Sequence, residues 1–198
     1  MGISDRLLAI GTLCLLAGLA PGCGKQPAEQ ALQVAEATID AARPEIERYV
    51  PGELQQLKDA SATAKAQFDK GDYKAALQSA QDLLPRVKAA AAAAEQKKQE
   101  LVAAFGRIKA SLPGMVDALN ARVSTLAGMR RLPPGIDKAV LQNAQASLGA
   151  MSSAWADATA SFDKGDVIQA VNQATQLQTQ ILDLTQALMP PAAPAPAR

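Results

Sequence analysis

Histidine is absent from this chain of 198 residues. Its absence removes the commonest general base and a common metal ligand. A serine or threonine nucleophile would then need a lysine or carboxylate as its base, and no Gly-x-Ser-x-Gly turn supplies a nucleophile elbow. Aromatic residues make up 3% of the chain. No run of Val, Ile, Thr or Tyr alternates with polar residues, so strands are not expected. The net charge is +1, which does not describe a polyanion binder, and nucleic acid is not an expected partner. No EF-hand spacing is present. Together these absences point to a non-enzymatic protein with no metal and no cofactor.

The chain is rich in Ala, Gln, Lys, Glu and Leu, all strong helix formers. Apolar residues recur in steps of three and four over long stretches. Leu32, Ala35, Ile39, Ala42, Ile46 and Tyr49 mark one helix, with Pro44 inside it and Pro51-Gly52 after it. Leu54, Leu57, Ala64 and Phe68 mark a second. The third signal runs in one phase from Leu77 through Leu84, Val87, Ala91, Ala94, Lys98 and Phe105 to Leu112. It predicts one nearly continuous helix, closed by a turn at Ser111-Leu112-Pro113-Gly114. A fourth helix is expected to reach about Arg131, and Leu132-Pro133-Pro134-Gly135 breaks the chain again. Leu141 to Phe162 and Val167 to Leu188 mark the fifth and sixth helices.

One pentapeptide occurs twice, Phe68-Asp69-Lys70-Gly71-Asp72 and Phe162-Asp163-Lys164-Gly165-Asp166. Each copy divides into a core Phe, a helix-ending Gly and a capping Asp, the parts of a hairpin elbow. The match extends beyond the elbow. Leu54, Leu57 and Ala64 correspond to Leu148, Met151 and Ala158, while Ala76, Ala80, Leu83 and Val87 correspond to Ala170, Ala174, Leu177 and Ile181. Upstream, Pro51-Gly52 matches Pro134-Gly135 at a smaller offset, which implies an insertion of about eleven residues, three turns of helix. The expected fold is all-α: a long-helix bundle at 28–189, made of two duplicated three-helix units at about 28–95 and 111–189. The stretch Gly71-Asp72-Tyr73-x-x-Ala76-Leu77 is weakly similar to tetratricopeptide-like hairpins, over about half a repeat.

Charge is unevenly spread. Residues 24–85 sum to −3, residues 86–138 to +6 and residues 139–198 to −2. Within the basic middle, Arg86, Lys88, Lys97, Lys98, Arg107 and Lys109 are candidate contacts for an anionic surface.

The N-terminus reads as an address. Arg6 precedes an apolar run from Leu7 to Ala20, shorter than the ~20 residues that span a bilayer. The run ends in Leu19-Ala20-Pro21-Gly22-Cys23. This resembles the lipobox of bacterial lipoproteins, with Ala20 and Pro21 departing from its commonest residues. The resemblance implies a signal peptide at 1–22, lipidation (palmitate) of Cys23 and a lipidated tether at 23–27. With Cys14 removed and Cys23 blocked, the mature chain keeps no free thiol. Gly24 is not the aspartate associated with inner-membrane retention, so in a two-membrane bacterium the resemblance implies the periplasmic face of the outer membrane. Residues 190–198 are a Pro/Ala-rich tail.

The expected role is that of a membrane-anchored structural or adaptor module in the cell envelope, binding a protein partner in the periplasm through its helical faces. The rival expectation is a periplasmic helical domain holding a small apolar ligand or lipid between its helices. A coiled-coil spacer is a third.

Overall fold

The structure, a computed structural model, describes residues 24–189. These residues form five helices and no strand: α1 (Lys25–Tyr49), α2 (Pro51–Asp69), α3 (Tyr73–Ala127), α4 (Lys138–Asp163) and α5 (Val167–Ala187). The all-α bundle class is as expected; the number of helices is not. The third and fourth expected helices are one, because α3 passes through Pro113 and Gly114 without a turn. Proline in a helix interior costs about 3 kcal/mol. On both sides of it the apolar stripe continues, with Leu112, Leu119, Val123 and Leu126 all buried. Burying each such side chain returns about 1.5–3 kcal/mol, so packing outweighs the proline. The α3 helix ends at Ala127, short of Arg131.

The chain divides into two compact units, one comprising the residues up to Pro44 and Gly52–Ala89, the other Glu45–Pro51 and Ala90 onward. In the first, Leu32, Ala35 and Ile39 of α1, Leu54, Leu57 and Ala64 of α2, and Ala76, Ala80, Leu83 and Val87 of α3 are buried. In the second, the core joins Phe105, Leu119 and Leu126 of α3 to Met151 of α4 and Leu177 and Ile181 of α5. Phe105 is its aromatic centre, stacked on Phe162 at 4.3 Å and on Trp155 at 5.5 Å between ring centroids.

The two elbows repeat the same backbone hydrogen bonds. Gly71 and Gly165 have φ of 81° and 83°, a left-handed conformation that glycine alone adopts without a Cβ penalty. The Gly71 N–H donates to the Phe68 carbonyl at 2.9 Å and the Asp72 N–H to that of Gln67 at 3.0 Å. The Gly165 N–H donates to the Phe162 carbonyl at 2.9 Å and the Asp166 N–H to that of Ser161 at 2.9 Å. These bonds satisfy carbonyls the ending helix leaves free. The caps differ. Asp72 Oδ1 accepts from the Ala75 N–H at 3.1 Å, whereas the Asp166 side chain makes no cap hydrogen bond. Asp72→Ala is therefore expected to cost about 1 kcal/mol, and Asp166→Ala only a few tenths; urea midpoints of the two variants check the difference.

The difference in length between α2 and α4 is smaller than the sequence comparison leads one to expect. The α4 helix has 26 residues and α2 has 19, so two turns are gained rather than three. The remaining extra residues lie in the loop before Asp137, whose Oδ1 caps the Val140 N–H at 2.8 Å.

Candidate functional site

Cys23, the expected lipidation residue, lies outside the described residues, as do the signal peptide and the tail 190–198. The segment just after Cys23 differs from expectation. The α1 helix begins at Lys25, where a tether through residue 27 was expected, and the Ala28 N–H already donates to the Gly24 carbonyl at 3.3 Å. Gly24 lies against Tyr73 at the start of α3: a Cβ placed on it would sit 3.5 Å from that of Tyr73. Tyr73 in turn packs edge-on against Phe68, with centroids 5.2 Å apart. Residue 24 thus lies beside the first elbow, its carbonyl already bonded to the first turn of α1. No helix among the described residues is long and apolar enough to cross a membrane.

The six candidate basic residues all lie on α3. Arg86 and Lys88 belong to the first unit, and Lys97, Lys98, Arg107 and Lys109 to the second. They do not share a face. Helix geometry puts Lys98 and Lys109 on one side and Lys97 and Arg107 about 100° or more around the axis. Two of them have acidic neighbours. Lys97 pairs with Glu100 at 3.6 Å, and Lys98 pairs with Glu45 at 3.7 Å while its Nζ lies 5.9 Å from the Tyr49 ring centre. Arg122, also in the basic middle, serves the fold. Its Nε and Nη2 donate to the Leu188 carbonyl at 3.1 and 2.8 Å, closing the end of α5. A cation there also complements the negative end of the helix dipole. Arg122→Ala is expected to cost about 1.5–3 kcal/mol and to release the last turn of α5, seen as faster amide exchange near Leu188.

Grooves lie along the helix seams. Between α1 and α2, one of about 390 Å³ is lined by Glu36, Asp40, Arg43, Lys58, Ser61 and Lys65 among others. Four of its charges are paired, Glu36 with Lys65 and Asp40 with Arg43. The hydrogen bond and charge of Glu36 raise the Lys65 pKa above its ordinary 10.5. A raised folded-state value means that this pair stabilises fully below the ordinary value, and that the contribution is lost as pH climbs through the raised one.

Between α4 and α5 a longer groove has a different character. Its first part, about 420 Å³, is lined by Ser147, Ala150 and Ala154 of α4 and by Gln180, Asp183 and Leu184 of α5, over Met151. A second part of about 200 Å³ continues it through Ala154 and Gln180 to Asp157, Gln173 and Gln176. Gln173 Oε1 is enclosed and has no hydrogen-bond partner. In the first hairpin, the equivalent position is Ser79, whose hydroxyl donates to Gln67 Oε1 at 2.8 Å. The residue types are exchanged in the second hairpin, Ser161 standing for Gln67 and Gln173 for Ser79. No carboxylate cluster able to hold a metal ion occurs among the described residues.

Sequence reasoning identifies neither this groove nor the Arg122 cap. The available signal is the low charge of α4 and α5, which periodicity alone does not weigh.

No protein-family model matches the chain, and neither a curated protein nor a solved structure matches it at a significant level.

Proposed function

We propose that this protein is a lipid-anchored module of the bacterial cell envelope, held through Cys23 at the periplasmic face of the outer membrane. Its role is non-enzymatic: it presents helical faces to a partner protein, as an adaptor or structural element. The apolar run ending in Gly22-Cys23 carries the address. The observation that carries the adaptor role is the aromatic-centred core of the second unit, where Phe105, Trp155 and Phe162 stack, with the grooves described above open at the helix seams. That favours recognition at the surface over a small apolar ligand held inside. The placement of Gly24 beside Tyr73 adds to it, since a module ordered from the residue after its anchor stands at a defined place above the lipid.

We also read the two hairpins as products of a duplication. The repeated elbow bonds, and the matching burial of Ala76, Ala80, Leu83 and Val87 with Ala170, Ala174, Leu177 and Ile181, support this.

The adaptor role is tested with a soluble form lacking the anchor, Cys23→Ala, offered to solubilised envelope proteins. Saturable capture of one envelope protein, displaced by unlabelled soluble form, is expected. Absence of any saturable binder contradicts the role.

A further inference from the structure

The α4–α5 hairpin is poor in charge. The α1 helix carries eight charged residues in 25, while α4 carries Lys138, Asp157 and Asp163 in 26 and α5 carries Asp183 alone in 21. Depletion of charge on a helix face is the compositional mark of surfaces that proteins cover. The groove in this hairpin follows the spacing of a helix seat. Ser147, Ala150 and Ala154 recur by three and four on α4, as do Gln173, Gln176 and Gln180 on α5, so each trio forms one row. Small side chains on the α4 row let another backbone approach closely, within the 8–10 Å of packed helices.

Two charges border the seat, and both are carboxylates. Asp157 stands on α4 beside Gln173 and Gln176, and Asp183 stands on α5 beside Ser147 and Ala150. Neither has an ion-pair partner among the described residues. The residues lining the groove include no lysine or arginine. At the Asp157 end, Gln173 Oε1 is enclosed and unpaired, and Ser161 makes no hydrogen bond to it. A buried acceptor left unpaired is costly, so this end of the hairpin is short of a donor.

Resting on the adaptor reading above, we infer that the α4–α5 groove seats one amphipathic helix of the partner protein, a helix whose apolar stripe is flanked by lysine or arginine on both margins. The apolar stripe lies over Ala150, Ala154 and Leu184. One basic residue meets Asp157 and the other Asp183. Gln176, level with Asp157, and Asp183 are seven residues apart on α5, so the two basic residues stand about two turns, ~10 Å, from each other. Opposite charge on the two partners sets the register of docking and the rate of encounter.

The test is photocrosslinking of the full lipidated chain in its own cells. A benzophenone amino acid is placed at Gln176 or Gln180 in the groove, and at Gln56 or Val102 as exposed positions elsewhere. The expected result is a groove adduct whose crosslinked peptide is a helical segment with Lys or Arg about seven residues apart. Its yield falls about tenfold in Asp157→Lys/Asp183→Lys, a double variant of exposed side chains whose thermal melt stays unchanged, and recovers when the mapped basic residues of the partner are made acidic. The inference is overturned by no groove adduct, by an adduct to a second copy of the chain, to residues 190–198 or to lipid, or by a crosslinked segment that is acidic. Adducts from Gln56 or Val102 with none from the groove leave the adaptor reading standing while removing this seat. Adducts from no position remove both.

Discussion

Phe105→Ala should destabilise the second unit by about 3–5 kcal/mol, the range for deleting a buried aromatic side chain. Phe105 is 2% exposed and its ring is stacked on two others, Phe162 within 8° of parallel and Trp155 within 12°. Truncation removes the middle of that stack and leaves a cavity that α3, α4 and α5 must each partly fill. Trp155 is the single tryptophan of the chain, so its fluorescence reports the site directly. The expected result is a red-shifted emission and a lowered denaturation midpoint. Val102→Ala, on the same helix at a position 41% exposed, should stay within about 0.5 kcal/mol. A loss below about 1 kcal/mol for Phe105→Ala would mean that the aromatic stack does not hold this unit together.

Pro113 marks how far the sequence can be read. Periodicity locates every helix, because an apolar stripe in steps of three and four must be buried. It also identifies the elbows, whose glycines have the positive φ that their position past a helix end requires. Pro113-Gly114 is not the turn its residue types predict, since a local breaker does not outweigh the stripe on both sides of it. Within α3, periodicity does not choose between adjacent apolar positions. It puts Leu77, Leu84 and Ala91 on the core face, yet Ala76, Leu83 and Ala90 are the more deeply buried. Where apolar residues come in neighbouring pairs, packing against the other helices sets the rotation, and the sequence carries no direct record of that.

The candidate sites are less legible for the same reason. The six basic residues group by closeness in sequence, but a helix distributes such residues around its axis. The α4–α5 groove joins Ser147 to Asp183, and the Arg122 cap joins residues 66 apart in sequence. Pairings of that kind exist only after the chain has folded back.

Cys23→Ala should move the protein from the membrane to the soluble fraction almost completely. Each buried methylene of an acyl chain contributes about 0.8 kcal/mol to membrane attachment. One chain gives weak, reversible binding, and two or more give stable anchoring. No helix among the described residues offers a second route across a bilayer, and the chain's net charge of +1 gives little general attraction to anionic lipid. On the proposed anchoring, attachment rests on Cys23. The same substitution should leave the fold intact, so the soluble form keeps the helical spectrum and the denaturation midpoint of the wild type.

Metabolic labelling with a clickable palmitate analogue, followed by separation of inner membrane, outer membrane and periplasm, bears most directly on the proposed anchoring. Lipidation of Cys23 predicts label on the wild-type chain, recovery of that chain in the outer-membrane fraction, and an unlabelled, periplasmic Cys23→Ala variant. A wild-type chain that carries no label and fractionates with the soluble periplasm would contradict it.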